Sequence, residues 1–128
     1  MKSASRGGSF TFLFTDVEGS TRLWEQDPER MRHAIARHDA LLRNAVKSHR
    51  GTVVKMTGDG MHAVFDDPLD GLMATLALQR AIGTAAARND IPLRIRCGLH
   101  SGVAERRDRD FFGKAVNRAA RMFSRARG

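Results

Sequence analysis

"FTFLFTDVEGST", residues 10–21, joins an apolar run to an aspartate and a turn of small polar residues. The run at 10–15 is rich in Phe and Thr and too short for a helix, so it predicts a strand. Because both faces of this strand carry apolar groups, we expect it to lie in the centre of a sheet. Asp16 then has two interpretations: it caps the helix that follows, or its carboxylate holds a cation beside phosphates.

Helical and strand-like segments follow this stretch in a regular order. Asp27-Pro28 is typical of an N-cap followed by the first residue of a helix. The glycines of "TGDG", 57–60, would permit the positive backbone angles of a tight turn between two apolar runs, which predicts a hairpin. The predicted elements are a short helix after Asp16, a helix from 28 to about 50, strands at 51–56 and 61–65, a helix from 68 to about 88, a strand at 93–102, a short strand or loop at 104–110, and a last helix that begins near 112–113.

This order predicts an α+β fold in which a ferredoxin-like antiparallel sheet carries helices on one face. With 128 residues the chain has the length of one domain, which we expect to span residues 10–128 after a flexible N-terminal arm at residues 1–9.

The composition favours a folded protein with an anionic partner. The formal charge is +8 and 41% of the residues are hydrophobic. There is no Tyr, and most of the seven Phe fall in strand-like runs, so we expect no specific binding of nucleic acid. A single cysteine, Cys97, reads as a buried small hydrophobe and suits a reducing cytoplasm. We find no segment that predicts a membrane span or a secretory signal, and we expect a cytoplasmic location.

Asp16 and Asp59 form the first candidate site. Asp59 lies in the "TGDG" turn, where an aspartate is usually structural. If the strand at 10–15 pairs beside the hairpin, however, both carboxylates lie at one end of the sheet and could hold two hard divalent cations. The turn at 18–21 offers amides at a helix N-terminus and two hydroxyls, which favour a phosphate.

Three further polar residues have a structural and a functional interpretation. Lys55 interrupts the apolar run "VVKM" and is either an edge-strand lysine or a donor that points into a pocket. Asn117 and Arg121 are four residues apart on the last helix, where they form either a solvated face or a pair that reaches one ligand. The guanidinium of Arg121 would suit an oxyanion. The sequence contains no Walker-type loop, paired-cysteine zinc pattern or Gly-x-Ser-x-Gly elbow.

Four segments together resemble the catalytic domain of class III adenylate and guanylate cyclases in their bacterial form. They are "FTDVEGST", "VKMTGDGMHAVF", "GLHSG" and "DFFGKAVNRAARM", in the order in which the family has them. The resemblance extends from about Phe10 to Met122.

The resemblance implies a role for each candidate residue. Asp16, Asp59 and the backbone carbonyl of Val17 correspond to the ligands of two Mg²⁺ or Mn²⁺ ions. Further matches are Gly19, Ser20 and Thr21 with the phosphate-contacting turn, Lys55 and Asp110 with the pair that binds adenine, Asn117 with the residue that orients the ribose, and Arg121 with the residue that stabilises the transition state.

The resemblance therefore implies an adenylate cyclase that converts ATP to cyclic AMP and pyrophosphate in a head-to-tail homodimer, with regulatory domains possible in the native chain. In the family the domain continues with further strands, so we expect those C-terminal strands to be missing here, in a fragment or a natural truncation. The alternative is a catalytically silent cyclase-homology module that binds nucleotide or dimerises within a signalling protein.

Overall fold

A five-stranded antiparallel sheet forms the centre of the computed structural model, which describes residues 5–86, 93–107, 110–112, 120, 121 and 123. The strands are β1 Ser5–Val17, β2 Thr52–Met56, β3 Met61–Phe65, β4 Ile95–Arg107 and β5 Asp110–Phe112. Their order across the sheet is β2-β3-β1-β4-β5. The α+β, ferredoxin-like fold predicted from the sequence is confirmed, and β1 is central as expected.

Strand β1 is longer than the sequence pattern predicts. It pairs with β4 along its whole length, from Ser5 opposite Arg107 to Val17 opposite Ile95. Residues 5–9 therefore belong to the sheet, and the boundary of the predicted arm at residue 9 is wrong. The polar composition of both strand ends conceals this pairing, because each end satisfies its backbone groups through the other rather than through apolar burial.

Three helices follow strands β1 and β3 along the chain. They are α1 Ser20–Gln26, α2 Pro28–Ser48 and α3 Pro68–Ala86. The side chain of Asp27 caps α2 by accepting a hydrogen bond from the backbone N–H of Arg30 at 3.2 Å. At the other end of α2 the chain turns at Arg50, whose φ of 62° lies in the left-handed region usually taken by glycine. None of the helices in the described ranges is both long and apolar enough to cross a membrane.

Alternation along β1 divides the apolar residues between the two faces of the sheet. Leu13 belongs to the larger core, which β1 shares with α2 and α3. Phe12 and Phe14 belong to a second cluster, against which Ala120 and Phe123 pack. Asp16 lies two residues after Phe14 in the same strand, so its side chain belongs to the same face of the sheet, opposite α2 and α3.

Candidate active site

The end of β1 places Asp16 inside the sheet rather than after it. Asp16 lies in register with Arg96 of β4, and only 2% of its surface is exposed. A carboxylate buried to this degree is costly unless it is paired and hydrogen-bonded. Asp16 lies in a paired strand, and the N-cap position of α1 is held by Gly19, so the structure does not support the helix-cap interpretation of Asp16.

Arg96 is the ion-pair partner of Asp16. Its Nε donates to Oδ1 of Asp16 at 2.9 Å and its Nη2 donates to Oδ2 at 2.7 Å. This is the bidentate geometry in which a guanidinium pairs with a carboxylate. The hydrogen bonds to Asp16 raise the pKa of Arg96 above its ordinary value, and the negative charges of Glu18 and Asp59 act in the same direction. The guanidinium therefore lies in the field of three carboxylates.

The turn between β2 and β3 brings Asp59 to the same end of the sheet. Oγ of Ser20 donates to Oδ2 of Asp59 at 2.6 Å, which joins the first residue of α1 to the turn of the hairpin. The backbone N–H of Thr57 donates to the carbonyl of Gly60 at 3.0 Å and closes the hairpin turn. The convergence of the two aspartates that the sequence predicts is thus present in the structure.

The glycines of these turns have other roles than the sequence suggests. The positive φ falls on Gly19, at 67°, whereas neither Gly58 nor Gly60 has one. The hairpin predicted around "TGDG" is present, but its glycines do not adopt the positive angles that they permit. Gly60 lies so close to the carbonyl oxygen of Thr15 that a Cβ there would fall inside the 3.0 Å that Cβ atoms keep from their neighbours. Close contact with β1 is the reason that this position needs glycine.

The carboxylate oxygens at this end of the sheet are suitable ligands for a hard divalent cation. Mg²⁺ and Mn²⁺ take oxygen ligands, and the carboxylates of Asp16 and Asp59 supply them. The guanidinium of Arg96, which is itself a cation, already forms an ion pair with Asp16 and interacts electrostatically with Asp59. Within the described ranges no three His, Cys, Asp or Glu side chains form a metal-binding group. A cation here would therefore take further ligands from backbone carbonyls, water or a bound anion.

Lys55 lies beside this site on the edge strand β2. A register shift separates Val53 from Lys55, which pairs across the strands with His62. Lys55 is exposed, as the edge-strand interpretation predicts. The ring of His62 meets Phe14 edge-on, with centroids 4.5 Å apart. Burial, and secondarily the charge of Lys55, lowers the pKa of His62. Lys55 thus borders a partly apolar surface on the face that also carries Asp16.

The described helical residues near the C-terminus pack on that same face through Ala120 and Phe123. Phe123 stacks on Phe14, with centroids 6.1 Å apart, and its ring would lie 3.0 Å from a Cβ built on Gly98. Arg121 is helical and exposed. Asn117 is outside the described residues, and Asp110 is described only as the first backbone position of β5. Phe112 is the last residue of β5, and the predicted start of this helix near Phe112-Gly113 otherwise lies outside the described residues.

Arg96 is a functional candidate that the sequence motifs above do not include. A signal for it exists in the alternation of "IRCGLH", residues 95–100, which places Arg96 on the same side of β4 as Gly98 and His100. A charged residue among small and aromatic ones on a central strand needs a buried counter-ion. The register of β4 against β1 identifies that counter-ion as Asp16.

The family whose model matches this chain is described as the adenylate and guanylate cyclase catalytic domain, and the match spans residues 3–128. The chain belongs to this family. An uncharacterized protein of Mycobacterium tuberculosis is 39% identical over 123 residues, which cover 94% of this chain and 41% of that protein. A putative adenylate cyclase of Rhizobium meliloti is 35% identical over 127 residues, covering 94% of this chain and 21% of the relative.

Solved structures of nucleotide cyclases share the fold of this chain. The adenylate/guanylate cyclase/hydrolase of Silicibacter pomeroyi superposes with a TM-score of 0.78 at 29% identity, over 94% of this chain and 72% of that one. This cyclase domain spans less than half the length of the curated relatives named above.

Proposed function

We propose that this cyclase domain converts ATP to 3′,5′-cyclic AMP and pyrophosphate with two Mg²⁺ or Mn²⁺ ions. The observation that carries the proposal is the convergence of two aspartates around Arg96, beside a turn that Ser20 ties to Asp59. A site that gathers carboxylates, a guanidinium and a hydroxyl suits the recognition of a metal-bound triphosphate.

The metal and phosphate roles follow from these positions. Asp16, Asp59 and the backbone carbonyl of Val17 would hold the two ions, and Gly19, Ser20 and Thr21 would contact the phosphates. Ions bound there would supply charge neutralisation and a more acidic 3′-hydroxyl. Oγ of Ser20 fixes the Asp59 carboxylate and limits its rotation before the substrate arrives.

The reaction itself needs positioning and charge stabilisation rather than covalent help from the protein. The ribose 3′-hydroxyl loses its proton, the bond from O3′ to the α-phosphorus forms, and the bond from that phosphorus to the pyrophosphate oxygen breaks. Asn117 would orient the ribose for this in-line attack. Arg121 would donate to the phosphoryl oxygens, on which negative charge increases in the transition state.

Selection of ATP over GTP rests on Lys55 and Asp110. The ammonium group of Lys55 would donate to a ring nitrogen of adenine, and the carboxylate of Asp110 would accept from its 6-amino group. Guanine carries an oxygen at position 6, so a carboxylate there would meet an acceptor instead of a donor. The partly apolar surface formed by Phe14 and His62 near Lys55 suits a planar base.

We further propose that two copies of the chain form the site head to tail in the cytoplasm. In this arrangement Asp16 and Asp59 of one subunit face Lys55, Asp110, Asn117 and Arg121 of the other. The exposure of Arg121 and Lys55 in the single chain is consistent with side chains that act on a ligand held by a second subunit.

The test is to incubate the purified protein with MnATP and, separately, with MnGTP, and to identify the cyclic product of each by mass spectrometry. We expect cyclic AMP from the wild type and none from Asp59→Asn, which keeps an oxygen acceptor for Ser20 but lacks the charge. Cyclic GMP as the sole product would contradict the base assignment. No cyclic product from a folded dimer would favour the silent module.

A further inference from the structure

Arg96 holds the buried carboxylate that the proposed function assigns to a metal ion. Two hydrogen bonds join its guanidinium to both oxygens of Asp16, at 2.9 and 2.7 Å. The side chain of Asp16 is 4% exposed and that of Arg96 is 30% exposed. The carboxylate is therefore enclosed by protein, while the side chain of its cross-strand partner Arg96 is partly exposed to solvent.

A cation and the guanidinium would compete for the same oxygens. A carboxylate offers about four lone-pair positions, and the paired donors of a guanidinium occupy one on each oxygen. The cation and the guanidinium are both positively charged, so they would also repel each other at contact distance. This repulsion would be only slightly screened by solvent, because Asp16 is buried. We propose that Arg96 is an internal counter-ion that a divalent cation must displace from Asp16, so that the pair weakens metal binding in the nucleotide-free protein. The inference rests on the proposed role of Asp16 as a metal ligand.

The surroundings give Arg96 somewhere to go after displacement. Glu18 and Asp59 both lie near enough to act on its charge, and Glu18 is exposed. The guanidinium can therefore move toward solvent and remain near negative charge. Asp16 keeps a counter-charge in both states, which avoids an isolated buried carboxylate. The pair thus preserves the folded strand end while the site is empty of metal.

The direct test measures Mn²⁺ binding without nucleotide, by electron paramagnetic resonance of free Mn²⁺ at neutral pH. Arg96→Gln should bind Mn²⁺ about tenfold more tightly than the wild type, because it removes a competing ion pair with a largely buried partner. Arg94→Gln is the matched control, because it removes the same charge from an exposed side chain two residues before Arg96. The affinity of this variant for Mn²⁺ should differ from that of the wild type by about twofold or less. Equal affinities of the two variants would overturn the proposal.

A second measurement uses the wild type and does not depend on a variant that folds. The Nε–H signal of Arg96, identified in nitrogen-15 spectra by its absence in Arg96→Lys, should exchange slowly with water in the metal-free protein. Saturating Mg²⁺ should remove that protection. A signal that keeps its protection at saturation would overturn the proposal.

These outcomes are separable from those of the cyclase assay. Tighter Mn²⁺ binding by Arg96→Gln without any cyclic nucleotide would contradict the proposed function and support the counter-ion role. Cyclic AMP production together with unchanged Mn²⁺ affinity would do the reverse. If neither the wild type nor Arg96→Gln binds Mn²⁺, the counter-ion proposal fails along with the metal site.

Discussion

Gly60→Ala tests how closely the hairpin turn must approach β1 to place Asp59. A Cβ at this position would collide with the carbonyl oxygen of Thr15 and lie 2.9 Å from Oγ1 of Thr57. The first of these neighbours is backbone within the central strand and cannot rotate away. To regain an ordinary contact the turn would have to move by roughly 1 Å, a displacement that can reduce catalysis by about a hundredfold when it shifts a catalytic group.

The same collision should lower stability. Overpacking in a well-packed region costs about 1–3 kcal/mol, so we expect the free energy of unfolding in urea to fall by that amount in Gly60→Ala. Gly58→Ala is the matched control in the same turn, because in the described part of the chain no heavy atom beyond its sequence neighbours lies within 4 Å of a Cβ there. It should change stability by less than about 0.5 kcal/mol and keep its activity. Equal effects of the two substitutions on stability and on cyclic nucleotide formation would refute this reasoning.

Three further predictions concern the backbone at the end of α2 and two titrating groups. Arg50→Gly should raise the free energy of unfolding by about 0.5–1 kcal/mol, because the φ of 62° at Arg50 strains any residue that has a Cβ. Arg50→Ala should give no such gain, and equal stabilities of the two variants would contradict this. Burial raises the pKa of Cys97 from 9.0 to about 11, so at pH 8 its alkylation by iodoacetamide should be about a hundredfold slower in the native than in the unfolded protein, and equal alkylation rates would count against this. The free energy of unfolding should also fall as the pH rises from about 9 to 11, because only the unfolded thiol loses its proton in that range. Lys55→Met removes the smaller of two causes that lower the pKa of His62, so a proton NMR titration should show that pKa rising yet staying below 6.5, and a fall would be inconsistent with the cross-strand contact.

The sequence pattern predicts the part of the fold that rests on local signals. Asp27-Pro28 marks the start of α2, and the hairpin follows from two apolar runs around a glycine-containing turn. The convergence of Asp16 and Asp59 also follows, because a central strand next to a hairpin brings their ends together. The resemblance to the cyclase family adds roles that no single residue type could indicate.

The features that escaped prediction depend on contacts between distant segments. Arg96 is 80 residues from Asp16, and only the register of β4 against β1 shows that they pair. The extension of β1 to Ser5 is hidden because its partner strand is equally polar there. Gly60 looks like a turn glycine, yet its environment is set by the carbonyl oxygen of Thr15 in another strand. Tertiary pairing, rather than propensity, decides all three.

Mixing two inactive variants tests directly whether Asp59 and Arg121 act in one reaction from two subunits. Asp59→Ala and Arg121→Ala should each be inactive alone. In an equal mixture, half of the randomly assembled dimers would be mixed and each would keep one intact site, so about a quarter of the wild-type rate of cyclic AMP formation should return. Mixed dimers that form, as measured by native mass spectrometry, but show no recovered activity would contradict the shared site.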